Sequence, residues 1–133
     1  MTFFTYGSLE FAAVMRAVTG RSFAHERARL DGWVRLRIRG AEYPGIRPRR
    51  GASTPGTLWR GVDPESAARM DAFESSLYER RSLPVRSAAG ESLDALVYAI
   101  RPEHYGELSH EPWDKARFAR ESLAAFAGAI TRS

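Results

Sequence analysis

The sequence predicts an α+β domain whose strands form a curled sheet or small, mainly antiparallel β-barrel, and three observations carry that reading. Short β-prone runs outnumber helical ones, and the gaps between them suit antiparallel pairing. One run alternates strictly, with Val34, Leu36 and Ile38 pointing one way and Arg35, Arg37 and Arg39 the other. The length of 133 residues fits one domain, residues 1–133, that buries about two-thirds of its extended surface.

Phe3, Phe4, Thr5 and Tyr6 make a β-prone run that ends at Gly7. Ser8 is the expected N-cap of a first helix, with Phe11, Val14, Met15 and Val18 as its apolar face and Gly20 as its stop. The alternating run from Trp33 to Arg39 reads as a half-buried strand with a basic outer face. Pro44, Pro48 and Pro55, with glycines and arginines between them, predict an irregular loop region from Ala41 to Gly56. Thr57, Leu58 and Trp59 then give another strand, closed by Gly61.

Asp63 and Pro64 open a second helix as N-cap and first position, and Ala67, Met70 and Phe73 mark its apolar face to about Ser75. Strands over 82–86 and 93–100 flank a turn at Ala89-Gly90-Glu91. Pro112 starts a C-terminal helix whose inner side carries Ala116, Ala119, Leu123, Phe126, Ala127 and Ile130.

Composition removes several function classes. Hydrophobic residues at 44% and charged residues at 27% are those of an ordinary globular chain. With no cysteine there is no disulfide, thiolate metal site, iron–sulfur cluster or cysteine nucleophile, and a reducing cytoplasm is the expected location. No apolar run approaches the roughly 18 residues of a membrane span, so no membrane association is expected. The net charge of +4 comes from 20 basic residues, all arginine except Lys115, scattered among acids. That spread does not form a clustered basic tail, and no nucleic-acid partner is expected. His25, His104 and His110 lack metal-ligand spacing, so no metal is expected. Nucleotide-binding glycine motifs and a G-x-S-x-G elbow are also absent, which leaves no cofactor implied.

Two local features remain. The junction Tyr6-Gly7-Ser8-Leu9 would present backbone N–H groups at the start of a helix, a geometry suited to a carboxylate or phosphate. By itself this glycine reads more readily as a plain turn. At the end of the second helix, Glu74 follows the core residue Phe73 directly. A carboxylate there faces the unfavourable end of the helix dipole, and apolar neighbours would push its pKa upward, as suits a general acid–base. On composition alone a solvated surface glutamate is the stronger reading.

The order of the motifs carries more than any one of them. Tyr6-Gly7-Ser8-Leu9 is followed by Tyr43-Pro44-Gly45-Ile46, Gly56-Thr57-Leu58-Trp59 and Asp71-x-Phe73-Glu74-x-x-x-Tyr78-x-Arg80. Val97-Tyr98 and a Trp113-Asp114…Phe118 segment close the series. Over nearly the whole chain this resembles the γ-glutamylcyclotransferase-like superfamily, in its AIG2-like branch. The resemblance implies a mixed β-barrel with flanking helices. It also implies a small-molecule γ-glutamyl substrate, cyclised to 5-oxoproline with release of the attached amine and without a cofactor. Carried over by residue, it makes Glu74 the catalytic acid–base and Tyr6, Gly7, Ser8 and Leu9 the substrate-binding turn.

Tyr78 joins the site on position, because the segment after Glu74 must run close to the carboxylate. Its hydroxyl is expected to face the substrate or Glu74, while Arg80 is expected to pair with Asp71. Glu10, Met70 and Ser75 depart from the common pattern, and Glu10 is expected to make the pocket mouth more acidic. A non-catalytic module that holds a small carboxylate in the same pocket is the alternative reading. The leaving amine and the oligomeric state stay open at the level of sequence.

Overall fold

Two long strands organise the chain in the computed structural model, which describes residues 1–132. Strand β2 (Ala24–Ile38) pairs antiparallel with β3 (Pro44–Arg60), from Ala24 opposite Arg60 to Arg37 opposite Pro44. Their register shifts between Asp31 and Trp33, where Gly32 takes φ 86°. That left-handed residue bends the ribbon, as bulges do.

The short β1 (Phe3–Thr5) sits between β3 and β5 (Ser92–Ile100). It is antiparallel to β3, with Phe3 opposite Trp59, and parallel to β5, with Phe3 opposite Leu96. Strand β4 (Tyr78–Ser87) pairs antiparallel with β5 from Tyr78–Ile100 to Arg86–Ser92 and returns to β2 at Ala28 and Arg29. The order β3-β1-β5-β4-β2, with β2 back on β3, closes a five-stranded mixed barrel. A sixth strand, β6 (Leu108–Pro112), adds to the end of β2. The α+β barrel with flanking helices is therefore the observed fold.

Helices α1 (Ala12–Thr19), α2 (Pro64–Phe73), α3 (Lys115–Glu121) and α4 (Leu123–Arg132) flank the barrel. Alternation along the strands divides the core in two. Phe4, Leu30, Ile46, Leu58, Leu83, Val85 and Val97, drawn from all five strands, fill the interior. Phe3, Trp59, Tyr98 and Ile100 on the opposite faces pack with Val14, Met15, Ala67 and Met70 from α1 and α2.

Three expectations are corrected. The stretch read as an irregular loop is most of β3. Pro44 opens that strand and Pro48 lies beside the bulge, positions where a missing N–H is tolerated. Gly56 is there for close approach, since a Cβ would lie 2.5 Å from the Phe4 ring and 2.4 Å from the Thr5 carbonyl oxygen. Second, Ser8 does not cap an α-helix. A 3₁₀ turn over Ser8–Glu10 intervenes, Phe11 occupies the N-cap of α1 without a side-chain bond, and Gly20 at φ 75° ends that helix. Third, Pro112 ends a strand rather than starting a helix. Asp114 caps α3 by accepting the Arg117 N–H at 3.0 Å, and Ser122 separates α3 from α4. The break lets Phe118 and Phe126 meet edge to face at 5.6 Å.

The second helix begins as expected, with the Asp63 carboxylate accepting the Ser66 N–H at 3.0 Å and Pro64 in the first turn. It stops at Phe73, and Glu74 takes extended backbone angles as its C-cap residue.

Candidate functional site

Glu74 leaves α2 at the mouth of a cavity of about 140 Å³. All six residues singled out in the sequence line it: Tyr6, Gly7, Ser8 and Leu9 from the β1 turn, Glu74 from the end of α2, and Tyr78 from the start of β4. They come together because β1 lies against β5 while β4 pairs along it, with Tyr78 opposite Ile100.

The turn is held from both sides. Thr5 Oγ1 donates to the Leu9 carbonyl at 3.1 Å and accepts the Trp59 indole N–H at 2.8 Å. Within the turn, the Glu10 N–H donates to the Gly7 carbonyl at 3.0 Å and the Phe11 N–H to the Ser8 carbonyl at 3.2 Å. Those two bonds engage neither the Ser8 nor the Leu9 N–H. The 3₁₀ geometry leaves little macrodipole at this point, so any anion binding here would rest on the individual N–H groups.

Glu74 is set by the core beside it. Its N–H donates to the Met70 carbonyl at 3.1 Å, and Met70 is fully buried. Among the described residues, no hydrogen-bond donor or cation pairs with its carboxylate. The side chain retains some accessible surface because the cavity opens onto it, but protein atoms surround it on the other sides. Burial pushes its pKa up to about 8, and the nearby Asp71 carboxylate adds to the rise. Asp71 is itself partnered, by Arg80 Nη1 at 3.0 Å and by the Tyr98 hydroxyl at 2.6 Å.

Three phenols of the cavity act as hydrogen-bond donors. Tyr6 donates to the Tyr98 carbonyl, and Tyr78 donates to the Pro44 carbonyl at 2.6 Å. Burial raises all of Tyr6, Tyr78 and Tyr98 well above the ordinary phenol range. The expectation for Tyr78 is thus corrected: its ring lines the cavity, but its hydroxyl is committed to Pro44. Glu10 is corrected too. Its side chain is fully buried behind the turn, against Arg27, Arg35 and Lys115, and does not line the cavity.

Sequence reasoning missed Tyr43, Pro44, Phe73, Tyr98 and Phe126 as lining residues. The motif Tyr43-Pro44 and the dipeptide Val97-Tyr98 were visible, but without strand pairing nothing placed them beside Glu74. Tyr98 stands opposite Arg80 in the β4–β5 ladder, which is how both reach Asp71.

The cavity is small and largely aromatic, with the Glu74 carboxylate and the Gly7–Leu9 turn in its lining. The family model described as γ-glutamyl cyclotransferase, AIG2-like, matches residues 3–115. The chain belongs to this family. AIG2-like protein C of Arabidopsis thaliana is 30% identical over 115 residues, covering 83% of this chain and 67% of that protein. An AIG2-like protein structure from Mus musculus superposes with a TM-score of 0.64 at 25% identity, covering 85% of this chain and 87% of that one. A solution structure of an Arabidopsis thaliana protein shares the fold at a TM-score of 0.75 and 24% identity, covering 97% of this chain and 87% of that chain. A structure named γ-glutamyl cyclotransferase shares it at 0.62 and 13%, covering 98% and 85%. These structures share the barrel fold with its flanking helices. No helix among the described residues is long and apolar enough to cross a membrane.

Proposed function

We propose that this AIG2-like protein is a cofactor-independent, cytoplasmic γ-glutamylcyclotransferase that converts a γ-glutamyl amine or peptide to 5-oxoproline and releases the amine. The observation that carries the reading is Glu74, an unpaired carboxylate with a pKa near 8 facing a cavity of small-molecule size. A volume of about 140 Å³ corresponds to about five water molecules at about 30 Å³ each, a space of small-molecule size.

In this reading the substrate's α-carboxylate accepts N–H groups of the Gly7–Leu9 turn. Ionised Glu74 takes a proton from the α-ammonium, and the freed amine attacks the γ-carbonyl carbon. The C–N bond to the leaving amine then breaks, and protonated Glu74 returns its proton to the departing nitrogen. Glu74, ionised again, carries the second α-nitrogen proton the same way, so both protons end on the expelled amine, which departs as an ammonium. Nucleophile and electrophile belong to one molecule, so the protein has to supply conformation and proton transfer. A carboxylate with an ordinary pKa would be a weak base here, and the raised value brings it closer to the ammonium it must deprotonate. Tyr6 and Tyr78 shape the cavity wall, and the aromatic rings exclude water from the transfer.

The test is a screen of γ-glutamyl amino acids, γ-glutamyl amines and γ-glutamyl-lysine peptides for 5-oxoproline release. Release by the native chain and loss in Glu74→Gln supports the reading. Binding of these compounds without any release overturns it in favour of a carboxylate-binding module.

A further inference from the structure

The substrate turn has a second support behind it. Arg35 comes from the alternating strand whose arginine face was expected to be solvent-exposed, yet its side chain is only 13% exposed. Its Nη1 donates to the Tyr6 carbonyl at 2.8 Å and to Glu10 Oε2 at 3.3 Å. Its guanidinium also lies 5.1 Å from the centre of the Trp113 ring. Tyr6 and Glu10 flank the Gly7–Leu9 turn on either side, so one guanidinium spans it.

Glu10 completes the arrangement. Its buried carboxylate takes Arg27 Nη1 at 3.0 Å and Lys115 Nζ at 3.2 Å as well as Arg35. Three cations on one carboxylate leave a surplus of positive charge next to the turn. None of these four residues lines the cavity. Arg35 reaches the site through the backbone of the turn, at the Tyr6 carbonyl.

We propose that Arg35 is a positioning residue for substrate binding: it clamps the Tyr6 carbonyl to Glu10 and so holds the Gly7–Leu9 N–H groups in place for the substrate carboxylate. This rests on the cyclotransferase reading for the identity of the ligand, but not for the clamp itself. Both bonds leave one nitrogen, Nη1, which also lies 3.4 Å from the Pro55 carbonyl, and the planar guanidinium fixes the directions of its N–H groups where a freely rotating ammonium would not.

The experiment uses the full chain carrying Arg35→Met or Arg35→Lys. Amide hydrogen exchange is followed at Glu10 and Phe11, whose N–H groups close the turn, with Leu96 in β5 as the internal reference. Arg35→Met is expected to speed exchange at Glu10 and Phe11 about tenfold while Leu96 is unchanged, and Arg35→Lys to recover part of that loss. On a γ-glutamyl compound that the native chain cyclises, Arg35→Met should raise KM about tenfold with kcat changed less than about threefold. Unchanged exchange at the turn, or equal acceleration at Leu96, overturns the clamp. A fall in kcat at constant KM overturns the binding role. Absence of turnover in the native chain would count against the cyclotransferase reading, while the exchange measurement still decides the clamp.

Discussion

Arg80 binds Asp71 and not Glu74: its Nη1 lies 3.0 Å from Asp71 Oδ2, and Glu74 is left without a cation. An arginine on Glu74 would lower its pKa into the ordinary carboxylate range and make it a weak base. Held on Asp71 instead, the guanidinium leaves the Asp71 charge close enough to help raise Glu74. The two carboxylates, three residues apart, have thus been given different environments. Asp71 is tied by Arg80 and Tyr98, and Glu74 faces the cavity.

Glu74→Gln should abolish turnover while leaving the fold intact. The amide is nearly isosteric but cannot take the ammonium proton, and loss of a general base lowers rates by about 10² to 10⁴. Initial rates of 5-oxoproline release from purified native and variant chains check this. A variant within tenfold of the native rate removes Glu74 from the role.

The rate should rise with pH toward a plateau above about 8, because only ionised Glu74 can accept a proton. Asp71→Asn should move that midpoint downward, since the Asp71 charge is one cause of the elevation. Profiles of kcat/KM against pH report the free enzyme. An upward move of the midpoint in Asp71→Asn would contradict the assignment of cause.

The same shift has a consequence for stability that needs no substrate. The folded-state pKa of Glu74 is about 8, against an ordinary value of 4.5. Between those values the folded chain binds a proton that the unfolded chain has lost, so the Glu74 contribution is favourable below pH 4.5 and declines up to pH 8. The slope is at most about 1.4 kcal/mol per pH unit. Glu74→Gln lacks this term, so its stability relative to the native chain should improve as pH rises from 4 to 9. Urea midpoints measured at both ends of that range would show it, and a constant difference would mean that Glu74 titrates normally.

Gly7→Val should weaken substrate binding. A Cβ at Gly7 would lie 3.0 Å from Pro44 Cδ and 3.1 Å from Cγ, so even alanine forces a small adjustment and a β-branched side chain a larger one. The nearest obstacle to a side chain at this position is Pro44. The expected result is a KM raised more by valine than by alanine. Equal KM values for Gly7→Val and the native chain would show that the turn absorbs the side chain.

What was legible in the sequence depended on local signals. Asp63-Pro64, Gly20 and the 34–38 alternation are governed by neighbours within one turn or strand, and they placed α2, the end of α1 and part of β2 correctly. The 44–56 segment failed because proline content speaks for the isolated chain, while pairing with β2 outweighs it once β2 is present. The same limit hid part of the site. Glu74 and the 6–9 turn could be named from motif order, but Tyr98 and Arg35 act through partners 27 and 25 residues or more away. Arg35 in particular looked like a surface residue, because alternation reports two faces of a strand and not what covers each one. Here Trp113 and the turn cover the second face.

The last prediction separates Tyr78 from Arg80. With the Tyr78 hydroxyl facing the substrate or Glu74 and Arg80 on Asp71, as sequence position suggests, Tyr78→Phe would impair turnover with little loss of stability and Arg80→Met would do the reverse. The hydrogen bonds change that expectation. The Tyr78 hydroxyl donates to the Pro44 carbonyl at 2.6 Å in a buried setting, and Pro44 is the residue against which Gly7 packs. Removing the hydroxyl leaves that carbonyl without its donor, at a cost of about 1–3 kcal/mol. The Arg80–Asp71 pair is partly exposed at both ends, with side-chain accessibilities of 34% and 45%, so its loss should cost about 0–1 kcal/mol. Tyr78→Phe should therefore lower the urea midpoint more than Arg80→Met does. It should also raise KM, because a freed Pro44 loosens its contact with the substrate turn. Arg80→Met should act on the pH profile instead: the unneutralised Asp71 charge would raise the Glu74 midpoint further and shift the rising limb to higher pH. Unfolding curves and pH profiles of the two variants check both halves, and a larger stability loss in Arg80→Met would mean that the Tyr78–Pro44 bond is not the stronger constraint.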